Sequence, residues 1–174
     1  MMTALMAVSI GQVGKIRAVQ RQEVRDMVRR DILRVVKADL KAALPIPLID
    51  KDGVGQAHFL GKPDEIRFVA YVPIGFRAYG VREVRYVLTT DDDKRLLLVR
   101  ELRRHENRNS SGIEREEMQL GSEQAARFQF PDNAVQGEFG ESWKTRLAFP
   151  SSIRISFAGE TAAGRNSQSI LLYP

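Results

Sequence analysis

Cysteine is absent from this chain, which excludes a disulfide framework and any thiolate chemistry, whether at a metal or as a nucleophile. Histidine is nearly absent: His58 and His105 stand far apart, so a histidine-rich metal site is not expected. The aromatics make up only 7% of the residues and tryptophan occurs once, at Trp143. No apolar run reaches the roughly 20 residues that a membrane-spanning helix needs, because the opening MMTALMAVSI is interrupted by Gly11, Gln12, Gly14 and Lys15. The basic n-region and small-residue cleavage site of a secretory signal are also missing around it. What remains, 174 residues with 43% hydrophobic and 28% charged, is enough to bury a core as one domain.

The net charge of +5 has a single source. Between Lys15 and Lys41 nine basic residues face four acidic ones, and the rest of the chain balances at 18 of each sign. The same segment has no proline from Val13 to Leu44, and its apolar residues recur at spacings of three and four: Ile16, Val19, Val24, Met27, Val28, Ile32, Val35, Val36, Leu40, Ala43 and Leu44. That spacing predicts an amphipathic helix ending at Leu44, before Pro45 and Pro47. At 1.5 Å per residue it would be about 48 Å long, more than a domain of this size covers, so part of its stripe needs another surface. Arg17, Arg21, Arg25 and Arg29 form a row at i, i+4 intervals on this helix. Such a row is a solvated face with Glu23 and Asp26 as counterions, or a contact for anionic lipid headgroups or an acidic partner.

After Pro47 the period changes to two. Ile66, Phe68, Ala70 and Val72 alternate with Glu65, Arg67, Val69 and Tyr71 up to Pro73, and VREVRYVLTT puts Val84, Tyr86 and Leu88 on one face. The turn around Asp91, Asp92 and Asp93 and the run RLLLVREL complete a β-hairpin. RHENRNSSGIERE reads as an exposed loop. Further strands are expected at Met118 to Leu120, Ala126 to Phe130, Trp143 to Phe149, Ser152 to Phe157 and Ser169 to Tyr173, with turns at Pro131 to Asn133, Gly137, Gly140, Pro150 and Gly159 to Gly164. The expected fold class is therefore α+β, a long N-terminal helix packed on antiparallel β-sheets, with residues 1–45 as the helix and 46–174 as the β-rich region.

Motifs that carry chemistry are few. Asp91 to Asp93 are better placed for a turn than for a calcium ion, which needs six to eight converging oxygens, and Asp50-Lys51-Asp52-Gly53 lacks the later ligands of a calcium loop. No nucleophile elbow or phosphate-cradling glycine loop accompanies either histidine or Gly53 and Gly55. The expectation is a non-enzymatic protein without cofactor or metal. A nucleic-acid module using the basic helix is an alternative, although Phe68, Tyr86, Phe128, Phe130, Phe149 and Phe157 fall at strand spacing and suit a core.

The order of the segments VVKADLKAALP, FLGKPDEIRFV, VREVRYVLTTDDDKRLLLVREL, ESWKTRLAFPSSIRISF and SILLYP resembles the minor pseudopilin J of bacterial type II secretion systems, in the pilin-like superfamily. The matching positions are Asp39, Leu40 and Pro45; Phe59, Gly61, Asp64, Ile66 and Phe68; Val84, Tyr86 and Leu88; Leu98 and Arg100; Trp143; and Pro150, Ile153 and Ile155. The resemblance implies a pilin-like fold and a non-catalytic subunit at the pseudopilus tip, partnered by the minor pseudopilins I and K. It also implies an inner-membrane anchor with the globular part in the periplasm, and a minor pilin of a type IV pilus is the sister reading. Ile16, Val19, Val24, Met27 and Val28 would then line the partner interface, and Arg17, Arg21, Arg25 and Arg29 the basic face toward anionic lipid or an acidic partner. The family's basic leader, Gly-Phe-Thr-Leu cleavage motif and early glutamate do not stand in this sequence, so Met2 to Ile10 is expected to be the last turns of a truncated anchor helix.

Overall fold

The helical spacing of apolar side chains persists to Leu40 and then gives way to a strand. In a computed structural model, which describes residues 27–49, 55–75, 78–105, 112–121, 125–132, 138–143, 147–161 and 164–172, helix α1 covers 27–41. Its end is closed by the Ala42 N–H, which donates to the carbonyls of Ala38 and Asp39 at 3.1 and 3.2 Å. Strand β1 (Ala43–Leu44) follows at once and pairs antiparallel with Ala70 and Val69 of β5 (Glu65–Gly75). The helix thus stops short of the expected Leu44. A residue before proline is driven from the α to the β region, and there its backbone groups find ladder partners.

Two antiparallel sheets form the rest. In the first, the order is β1, β5, β6 (Ala78–Thr90), β7 (Leu96–Arg104) and β8 (Glu114–Gly121), with β4 (Phe59–Gly61) beside β1 on the same edge of β5. In the second, the order is β10 (Phe139–Gly140), β9 (Ala125–Pro131), β11 (Ile153–Thr161) and β12 (Gly164–Leu172). A ribbon of β2 (Leu48–Ile49) and β3 (Gly55–Ala57) completes the described strands.

The expected α+β, pilin-like architecture of a long helix on sheets is corrected here. The described residues are mostly antiparallel β-sheet with one short helix. Strands are longer than hydropathy suggests: β8 starts at Glu114, and β11 and β12 reach Thr161 and Gly164 through a stretch expected to be turn. Ladder hydrogen bonds satisfy the backbone whether or not the side chains are apolar, so pairing outruns the hydrophobic pattern. The strand expected from Trp143 to Phe149 is also corrected. Trp143 makes one isolated bridge to Gly61, its indole N–H donates to the Ala148 carbonyl at 2.8 Å, and Leu147, Ala148 and Phe149 lie in no strand, while residues 144–146 lie outside the described residues.

Ile32, Leu33, Val36 and Leu40 of α1 are buried in one core with the inner faces of both sheets. Each such side chain contributes about 2 kcal/mol through removal from water. The sheets are joined at β4: Phe128 N–H donates to the Pro63 carbonyl at 2.6 Å, and Trp143 N–H to Gly61 at 3.1 Å. Phe59 stacks on Phe68 at 6.0 Å and meets Phe130 and Phe149 edge-on at 5.9 Å. Gly61 makes room for this, since a Cβ there would stand 2.5 Å from the Phe130 ring.

Candidate functional site

Three of the five apolar residues expected at a partner interface and three of the four arginines lie beyond the limits of the described chain. Ile16, Val19, Val24, Arg17, Arg21 and Arg25 lie outside the described residues. Met27 and Val28, the first described residues of α1, are exposed, at 58% and 45%, whereas Ile32, Leu33, Val36 and Leu40 are buried. Arg30, Asp31, Arg34, Lys37 and Lys41 are exposed on the same helix, with Arg34 3.2 Å from Asp31. Arg29 departs from this solvated face: it is buried, its guanidinium 4.5 Å from the centre of the Phe157 ring. A cation held over an aromatic face and shielded from water is attracted by the ring quadrupole by as much as about 2 kcal/mol.

The interior of the helix–sheet contact is polar at one point. Asp39, on the buried side of α1, accepts from the Tyr86 hydroxyl at 2.6 Å and from Arg100 at 2.8 and 3.0 Å in a bidentate fork. Tyr86 and Arg100 face one another across β6 and β7, so the period-two alternation brings both to the inner face. Burial raises the Tyr86 phenol well above its ordinary range, and the Asp39 carboxylate adds to the rise. Burial works to lower the Arg100 guanidinium, and the hydrogen bonds and charges of Asp39 and Tyr86 together outweigh it, leaving Arg100 above its ordinary value. This cluster holds the helix in one register on the sheet.

The outer face of the first sheet is held by ion pairs. Arg85 bridges Glu65 at 2.9 Å and Glu101 at 3.0 Å, and Arg67 pairs with Glu83. Burial pushes the Glu65 carboxyl up, but the hydrogen bonds and charge of Arg85, with Arg67 and Lys62, bring it below the usual carboxylate value. At the β6–β7 turn the Asp91 carboxylate accepts from the Arg95 backbone N–H at 2.7 Å and from its guanidinium at 2.9 Å, and Asp93 also pairs with Arg95. The acidic run is therefore engaged in closing a turn. Among the described residues no three ligating side chains gather as a metal site, and no helix is long and apolar enough to cross a membrane. Asp50 to Gly53 lie outside the described residues. His58 Nδ1 lies 3.1 Å from the Leu147 carbonyl.

One surface was missed by periodicity. Tyr71 and Tyr79 stack at 5.7 Å on the outer face of the β5–β6 hairpin, both exposed. Tyr71 falls on the polar side of its strand's alternation, which is the only signal the sequence offers. No family model matches the chain, and no curated protein matches it either.

Proposed function

We propose that the chain is a non-catalytic minor pseudopilin, a structural subunit of a type II secretion pseudopilus tip that serves protein export across the outer membrane. Its partners are the minor pseudopilins I and K of the same system, and its place is the inner membrane with the globular part in the periplasm. One observation carries this reading: the apolar stripe of α1 continues beyond the core, with Met27 and Val28 exposed one turn before the buried Ile32 and Leu33. A helix that offers large apolar side chains to water is stabilised by packing against another helix, as helices in a bundle do. Exposed Arg30, Arg34, Lys37 and Lys41 leave that helix basic, suited to acidic partners or anionic headgroups.

A second support is indirect. Among the positions that resemble pseudopilin J, Asp39, Tyr86 and Arg100 meet in the buried cluster, and Phe59, Gly61, Phe68 and Trp143 meet at the junction of the sheets. Co-expression of the chain with pseudopilins I and K tests the proposal. A complex that survives purification supports it, and separate elution of all three at high concentration contradicts it.

A further inference from the structure

We propose that the open end of the β5–β6 hairpin is a docking edge for an extended protein segment in which apolar and acidic residues alternate. Three observations converge there. The first is a ladder that the described residues leave unfilled. Pairing between β6 and β7 stops at Arg82 and Arg104, and pairing between β1 and β5 stops at Ala43 and Ala70, beyond which the Ala42 carbonyl accepts only the Tyr71 N–H. Over 78–81, β6 is paired with β5 alone among the described residues. An open edge of this kind is a template for an added strand.

The second is an apolar surface on one side of that edge. Tyr71 lies opposite Val81, and Pro73 opposite Tyr79, so these four share the outer face. Tyr71, Tyr79 and Val81 are 52%, 57% and 37% exposed. The two rings stack on each other at 5.7 Å and 23°, so each gives up one face and they suit an aliphatic side chain laid alongside better than an inserted base.

The third is charge on the opposite side. Arg82 and Arg104 are directly opposed in register and share the face away from Tyr71 and Val81. Arg82 donates from Nη1 to the Val81 carbonyl at 3.0 Å, and its guanidinium lies 3.3 Å from where a Gly80 Cβ would stand. The guanidinium therefore lies over the part of the ribbon where glycine leaves space. Neither arginine meets a carboxylate among the described residues. A strand added along 78–81 would set one set of alternate side chains beside Tyr79 and Val81, and the other on the face of Gly80, toward Arg82 and Arg104. That is the pattern of an apolar–acidic alternating segment.

This inference does not depend on the secretion reading, and its test uses a probe with no pilin sequence. A fluorescein-labelled peptide of alternating valine and aspartate, about eight residues long to match a typical strand, is titrated with the full chain and followed by anisotropy. A peptide with lysine in place of aspartate, and one with a central proline that breaks the ladder, are the controls. The expected result is saturable binding of the acidic peptide that weakens with salt, with both controls weaker by at least about tenfold. Arg82→Glu with Arg104→Glu, and separately Tyr79→Ser, each lose binding by a similar factor while thermal melts stay those of the parent chain. Equal binding of the acidic and lysine peptides, or undiminished binding by the variants, overturns the proposal. So does absence of peptide binding where the hairpin residues instead carry the chain onto phosphatidylserine vesicles or into dimers.

Discussion

Asp39 decides how α1 sits on the sheet, because its carboxylate takes both the Arg100 fork and the Tyr86 hydroxyl in a site with little water. Removing one member of a buried charge pair strands the other, at a cost of about 3 to 5 kcal/mol. Asp39→Ala is expected to lose that much in urea unfolding, whereas Tyr86→Phe, which removes a single hydrogen bond to a charged group, loses about 1.5 to 3 kcal/mol. A second residue holds strain that can be relieved. Lys94, in the turn after Asp91, has φ of 60°, a conformation that costs a residue with a Cβ roughly 1 kcal/mol. Lys94→Gly should therefore raise the urea midpoint or leave it level, the relief being offset in part by the entropy of glycine in the unfolded chain. These two sites differ in what a sequence displays. The turn is legible in Asp91-Asp92-Asp93 because short polar side chains cap their own backbone. The buried place of Arg100 is not, since a lone arginine between Leu98 and Leu102 reads as polar until the register with Tyr86 places it on the inner face.

At the scale of elements, the junction of β4, β9 and Trp143 rests on the absence of a side chain at Gly61. Phe130 is fully buried, so its ring cannot yield to a methyl group 2.5 Å away. Gly61→Ala is expected to destabilise by about 1 to 3 kcal/mol through overpacking, measured as a fall in urea midpoint without a change in slope. The outer face of the sheet supplies a pH dependence. The Glu65 carboxyl is below its ordinary value of 4.5 in the folded chain, so the unfolded chain binds the proton first as pH falls. Its stabilisation is complete above about pH 4.5 and fades as pH drops through the lower folded value. Glu65→Gln should flatten this part of the acid limb of stability while leaving the alkaline limb alone. On that alkaline limb the sign is reversed but the direction of loss is outward again. The raised Tyr86 phenol keeps its proton when the unfolded chain gives one up, so stability falls as pH rises past the ordinary phenol value of 10.0. The strands that carry these groups were legible where one face is buried, as at Ile66, Phe68, Val84 and Tyr86. They were not at the part of β12 before Ser169 or at the start of β8, where the sequence is polar and the backbone ladder carries the pairing.

At the largest scale, α1 and the two sheets of the described residues share a core that takes Ile32, Leu33, Val36 and Leu40 from α1. The apolar stripe itself was legible from spacing, but which part of it the protein would cover depends on how far the sheets extend, which no local pattern encodes. Arg29 shows the same limit, since a row of arginines at i, i+4 looks uniformly solvated until Phe157 of β11 is placed beneath one of them. Met27 and Val28 carry the central claim, that their face of α1 is an assembly surface. The direct measurement is co-purification of the chain with pseudopilins I and K, comparing the parent with Met27→Glu and Val28→Glu together. The account predicts that the parent is retained and the double variant lost from the complex, with equal thermal melts because both side chains are exposed. Retention of the double variant at parental levels, or no complex with the parent chain, would contradict it.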